Sequence, residues 1–168
     1  MSKKIPAKLK TIKIKIPWVG EAELEYAPVE RDAAWSLYVE LVTRVAVEPL
    51  PGDSGLLRES LSSLHELFGS TREVLKRAGP DVGSSTDSVG GIAIAVLNLG
   101  LRPFLTKWHS RLADWEYQRA AQIGIGDHER KWPHYADLRS EMEQLRMKLK
   151  LYADALATVA GVTVQDDR

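Results

Sequence analysis

From His134 to Ala160 the chain reads HYADLRSEMEQLRMKLKLYADALATVA, and within it Tyr135, Leu138, Met142, Leu145, Leu149, Tyr152, Leu156 and Val159 recur at alternating steps of three and four. That stripe specifies one apolar face of a long helix, which must be buried against another element. A second stripe, Leu57, Leu61, Leu64, Phe68, Thr71, Leu75 and Ala78, keeps the same phase, so two long amphipathic helices share a core. Pro133 suits the start of the later helix and Gly161 its stop. Asp53 or Ser54 is placed to cap the earlier one, which Gly79 and Pro80 end; Gly69 and Ser70 are a weak point inside it.

Two further helices follow from the remaining periodicity. Pro28, with Glu30 and Asp32 behind it, opens a helix from about Val29 to Val47, since acids favour the positive end of the helix dipole. Its expected buried side carries Ala34, Trp35, Tyr38, Leu41, Val42 and Val45, and Pro49 and Pro51 end it. Ser88 caps a third helix with Ile94, Leu97, Leu101, Leu105, Trp108, Leu112 and Trp115 inward. The irregular step from Leu101 to Leu105 brackets Pro103, which predicts a kink there. Residues 79–88, rich in Gly, Pro, Ser, Asp and Thr, read as a flexible connection.

Ahead of the helices, Ile12, Ile14 and Ile16 alternate with Lys13 and Lys15, and Ala22, Leu24 and Tyr26 alternate with Glu21, Glu23 and Glu25 across Pro17, Trp18, Val19 and Gly20. These are two strands of a hairpin with Lys opposite Glu on its wet face. Its other face is apolar, and a lone two-stranded ribbon is marginal in water, so it docks on the helices or pairs with another chain. The expected architecture is therefore mainly α: an antiparallel four-helix bundle with long helices, the third kinked near Pro103, preceded by a β-hairpin. The alternative is a three-helix core with the first helix packed across it. The expected divisions are 1–27 for tail and hairpin, 28–162 for the bundle and 163–168 for a tail, all within one structural domain.

Composition narrows function by exclusion. The 23 basic and 23 acidic side chains balance, which removes a global electrostatic argument for nucleic acid or an anionic membrane. The chain has no Cys, hence no disulfide, thiolate zinc site or cysteine nucleophile, and its Lys-rich start has no signal-peptide pattern; a cytoplasmic location is expected. The apolar run from Val89 to Leu105 is broken by Asn98, Arg102 and Pro103 and is shorter than the ~20 residues of a membrane-spanning helix, so no span is expected. His65, His109, His128 and His134 form no HExxH and no i, i+4 pair, and no glycine-rich phosphate loop or nucleophile elbow occurs. No metal or cofactor is expected, and nothing with both spacing and context marks a catalytic residue.

One constellation remains. Arg58, His65 and Arg72 each follow a core residue of the second helix at seven-residue spacing, so they share a flank. Asn98, Arg102, His109 and Glu116 fall within roughly 40° of one another on the third helix, and Arg139 and Arg146 repeat the phase on the fourth. If two such flanks face each other, an Arg- and His-rich groove results, and like charges across a seam are destabilising unless an anion lies between them. The ordinary reading is that these side chains cover the core edge and pair with acids such as Glu59, Glu66 or Glu143. The run from Leu101 to Glu116, with Trp108, Trp115, Phe104 and His109, reads likewise as either an aromatic and basic surface or plain core packing.

The stretch from Glu48 to Glu59, Leu101-Arg-Pro-Phe-Leu-Thr-Lys-Trp-His109, and His128-Glu-Arg-Lys-Trp-Pro133 resemble those of small all-helical bacterial proteins with no assigned activity, from about residue 28 onward. The resemblance implies a bacterial accessory protein of a defence or signalling system and carries over no catalytic residue. Two functions follow as expectations: a non-enzymatic protein that binds a protein partner or itself through the hairpin edge, or a bundle that senses a phosphate-containing molecule at the basic groove.

Overall fold

The computed structural model describes residues 11–25, 27–44, 46–47 and 54–163. It is mainly helical, 71% helix, with an N-terminal antiparallel hairpin. Strand β1 (Thr11–Ile16) pairs with β2 (Gly20–Glu25), placing Lys13 opposite Glu23 and Lys15 opposite Glu21, as the alternation predicts. Ile16, Ala22 and Leu24 are buried, so the hairpin's apolar face is turned into the chain, with β1 lying along the last helix.

Five helices follow: α1 (Pro28–Val42), α2 (Leu57–Ala78), α3 (Val89–Tyr117), α4 (Ile125–Arg130) and α5 (Tyr135–Ala160). They are not clearly a four-helix bundle, because the six-residue α4 intervenes and α1 packs chiefly on α5 and secondarily on α2. Every residue of the α5 stripe from Leu138 to Val159 is buried. Gly161 closes the helix at φ 73°, and the Val162 N–H donates to the Ala157 carbonyl at 3.0 Å, a wrap that satisfies carbonyls left over at a helix end.

The first helix departs from expectation at its end and in its phase. It stops at Val42, after which successive turns bring Ala46 and Val47 into the core. Its buried side is Glu30, Ala33, Ala34, Leu37 and Leu41, while Trp35 is 48% exposed and stacks on Tyr38. Apolar residues occur all around this helix, so periodicity alone does not fix which side faces inward. Pro49, Pro51 and Val45, like Tyr26 of the hairpin pattern, lie outside the described residues.

The irregular step in α3 is not at Pro103 but just before it. Buried positions run Ile92, Ala93 and Val96, then Leu101, Leu105, Trp108 and Leu112. The five-residue jump from Val96 to Leu101 is a π-helical turn, Val96–Leu101, inserted between two α-helical stretches. Pro103 then stands in the first turn of the stretch that follows, where a missing N–H costs least. Because the extra residue rotates the phase, Ile94 is outward and 49% exposed rather than in the core. The hairpin tip meets this turn: Trp18, held at φ 66°, lays its indole where a Cβ on Gly100 would come within 2.8 Å. A bulky residue at positive φ costs on the order of 1–3 kcal/mol, and the apolar area its ring covers returns a similar amount.

Helix α3 also revises the membrane argument. The helix runs well past Leu105, and Val89–Tyr117, 29 residues, is long and apolar enough by length and composition to cross a membrane; 44% of its most apolar window is buried inside the chain. The connection ahead of it is not loose. Pro80–Gly83 forms a 3₁₀ turn that buries Val82, and residues 82–86 lie directly over Gly90 and Gly91.

Two helix starts are capped from afar. Ser88 caps α3 as expected, its Oγ accepting from the Gly91 N–H at 3.1 Å, and buried Glu30 accepts from the Val89 N–H at 2.8 Å. Glu30 thus serves the dipole of α3 rather than only its own helix. At α2 the residue before the helix is Leu56, which offers no side-chain cap. Glu129 of α4 takes that role, its two oxygens accepting from the Leu57 and Arg58 N–H groups at 2.8 and 3.1 Å.

Candidate anion-binding groove

Helices α2 and the C-terminal part of α3 run side by side, and their seven-residue flanks meet as three successive rungs. Arg58 faces Glu116, His65 faces His109, and Arg72 and Arg102 line the same groove. The groove measures about 630 Å³; Phe68, Gly69 and Glu66 complete its α2 side, and Leu105 and Thr106 its α3 side.

The first rung is a closed ion pair. Arg58 donates through Nε to Glu116 at 2.9 and 3.2 Å and through Nη2 at 2.9 Å, a fork that suits a carboxylate. Its backbone N–H is held by Glu129, so the caps of α2 and the end of the groove share one anchor. Arg58 and Glu116 therefore satisfy each other rather than waiting for a ligand.

The second rung pairs imidazoles, with ring centroids 5.8 Å apart and planes perpendicular. Arg58 Nη1 lies 2.7 Å from His109 Nδ1. A guanidinium can only donate, so Nδ1 accepts and the ring proton sits on Nε2. Burial first, then the Arg58 guanidinium and His65, hold the His109 imidazole below its ordinary range, outweighing the upward pull of Glu116. Its Nε2 is buried without a hydrogen-bond partner.

The third rung carries charge that nothing cancels. Arg72 makes no ion pair or hydrogen bond among the described residues, and Arg102 is bonded only to neutral Asn98, at 3.1 Å, with its guanidinium 5.2 Å from the Phe68 ring centroid. Glu66, the acid in the groove lining, is bound to Arg44 at 2.6 Å. Asn98 thus supports Arg102 from one turn back and does not itself line the groove.

Arg139 and Arg146 do not join it. Arg139 donates to the Tyr135 hydroxyl at 3.0 Å, and Arg146 forks onto Glu143, whose carboxyl it holds below the usual range. Both find partners on α5 itself, which packs chiefly on α1. For Arg146 the ordinary pairing with Glu143 is therefore the observed one. The aromatic run resolves as packing: Trp108 is buried with its Nε1 on Glu141 at 2.9 Å, and Trp115 donates to the His128 carbonyl at 2.8 Å and stacks on that ring at 4.6 Å.

Phe68, read as core, is half-buried: it packs against the edge of the core and also lines the groove, while Leu67 takes the fully inward position. Gly69 gives the groove room at the point marked as a helix weakness, and α2 runs through it unbroken. Glu129 carried no sequence signal, since its partners are backbone groups 71 and 72 positions away. Among the described residues no three His, Asp or Glu come together as metal ligands. No protein family, curated protein or solved structure matches the chain.

Proposed function

We propose that the protein binds a phosphate-bearing small molecule in the groove between α2 and α3. The observation behind this reading is the third rung, where two guanidinium groups line one cavity with neither in an ion pair among the described residues, and Glu66, the acid in the same lining, is paired with Arg44. Guanidinium forks match phosphate oxygens, and an anion between them turns a repulsive pair into a bound one. The volume suits more than inorganic phosphate, and Phe68 and Leu105 offer apolar surface to the organic part of a ligand.

Thermal unfolding at fixed ionic strength, with phenyl phosphate, a nucleoside monophosphate and sulfate compared, tests this reading. At a hundredfold excess over Kd a ligand adds about 2.7 kcal/mol, which for a chain of this size raises the midpoint by on the order of 5–10 °C. The rise is expected to be larger for the phosphate esters than for sulfate, which lacks the organic part, and is lost in Arg72→Gln with Arg102→Gln. No rise for any ester, or an equal rise in that variant, rules the reading out.

A second reading has one observation in its favour. Met147 and Leu151, one turn apart on α5, and Leu99 on α3 are each more than half exposed, as in a non-enzymatic accessory protein that contacts a protein partner or a second copy. The hairpin's apolar face is turned inward, which leaves the hairpin edge first expected to make that contact and the exposed α5 ridge as its candidates. Sedimentation that does not change with concentration would remove self-association.

A further inference from the structure

We propose that the groove selects the dianionic form of a phosphate monoester, and that the Glu116–Arg58 pair keeps the His109 imidazole beside it uncharged. The inference rests on the anion-groove reading and names which anion the groove takes.

The charge count comes from geometry. Each imidazole in the middle rung could add a positive charge, but His109 is barred from doing so: a protonated ring has donors on both nitrogens, and Arg58 Nη1 already points a donor at Nδ1 from 2.7 Å. Arg58 cannot easily turn away, because Glu116 holds its Nε and Nη2, and its Nη2 also donates to the His109 carbonyl at 3.3 Å. The groups facing His109 are therefore Arg58 and His65 from α2 and Glu116 from its own helix, with Arg72, Arg102 and Glu66 further along the groove. Glu116 is spent on Arg58 and Glu66 on Arg44, which leaves the two guanidinium charges of the third rung and the His65 imidazole, the group that the His65→Asn variant removes. Two guanidinium charges match a terminal phosphate with two negative charges better than a diester or a carboxylate with one.

This arrangement predicts an unusual sign. Were the histidines charged when they bind, affinity would fall as pH rises through their titration. With His109 neutral throughout, the ligand's own second ionisation, near pH 6, governs binding, and affinity rises with pH. Between pH 5.5 and 7.5 the dianion of phenyl phosphate grows from about a quarter to nearly all of the ligand, so Kd is expected to tighten roughly fourfold.

Calorimetric titration with phenyl phosphate and with methyl phenyl phosphate, a monoanion at every pH used, tests the ligand part in the full chain and in His65→Asn, which removes the other imidazole. The fourfold tightening in both proteins, with the diester at least tenfold weaker, supports the proposal. Equal affinity for the two esters, or weaker binding at higher pH, overturns it while leaving the anion groove standing. Failure of both esters to bind overturns the groove reading and this inference with it.

Long-range ¹H–¹⁵N NMR of the His109 ring tests the positioning part without any ligand. The proton is expected on Nε2, with Nδ1 bare, from pH 5.5 to 8. In Arg58→Met, which removes both the donor aimed at Nδ1 and its positive charge, the ring is expected to gain a second proton at the acid end of that range. A His109 that is doubly protonated at pH 5.5 in the unaltered protein overturns the positioning role whatever the variant does.

Discussion

Glu129→Ala is expected to cost about 3 kcal/mol of folding stability, the sum of a lost helix cap and two N–H groups left without an acceptor. Glu129 is 1% exposed, and its carboxylate is the side-chain acceptor for the first two N–H groups of α2. Leu56, the residue ahead of the helix, offers no side-chain acceptor of its own. Ala at this site removes the acceptor and leaves a cavity, whereas Gln keeps an oxygen of the same reach and loses the charge that favours a helix N-terminus. Glu129→Gln should therefore cost about 1–2 kcal/mol, less than Ala. Urea unfolding of the three proteins checks the order. An Ala variant within 0.5 kcal/mol of the parent would mean that the start of α2 does not depend on α4.

Gly91→Ala is expected to cost at least about 3 kcal/mol, against the direction that helix propensity alone gives. Ala is favoured over Gly inside a helix by about 1 kcal/mol. At residue 91, however, a Cβ would stand 2.1 Å from the Ser85 carbonyl oxygen, and at residue 90 one would stand 2.5 Å from that of Val82. Both obstacles are backbone, which cannot swing aside as a side chain does, so the loop would have to lift off α3 and expose Val82. Gly69→Ala is the internal control. Nothing lies within 4 Å of the Cβ it would add, so the same exchange in α2 should stabilise by up to about 1 kcal/mol. Opposite signs at 69 and 91, read from denaturant midpoints, are the expected result. A Gly91→Ala protein as stable as its parent would show that the loop does not press on the helix.

What the sequence reveals and what it hides follow from the range of each interaction. The α5 stripe, its Gly161 stop, the Ser88 cap and the Lys–Glu pairs of the hairpin are set by neighbours within a few positions, and each is found where periodicity puts it. The phase of α1 is hidden because its apolar residues ring the helix, leaving the choice to α5. The π turn is visible only as an oddly long step near Pro103, and the step belongs five residues earlier than the proline suggests. Buried Glu30 and Glu129 look like ordinary surface acids until the backbone N–H groups they serve, 59 to 72 positions away, come into place.

The groove divides in the same way. Seven-residue spacing correctly places Arg58, His65 and Arg72 on one flank and Arg102, His109 and Glu116 on the facing one, because helical geometry alone decides it. Spacing does not decide which helix supplies the opposite wall. Arg139 and Arg146 share the phase but sit on α5, which meets other neighbours. Nor does spacing say which rung is satisfied: Glu116 closes the first, and only the third is left with charge to spare.

The central claim is that this third rung holds an anion. Amide NMR mapping of ¹⁵N-labelled protein titrated with phenyl phosphate at constant ionic strength tests it most directly. The account predicts saturable shifts concentrated at residues 65–72 of α2 and 102–109 of α3, absent when Arg72 and Arg102 are both replaced by Gln. Shifts confined instead to the surface around Trp18, Lys107 and Lys148, or no saturable shift at all, would contradict it.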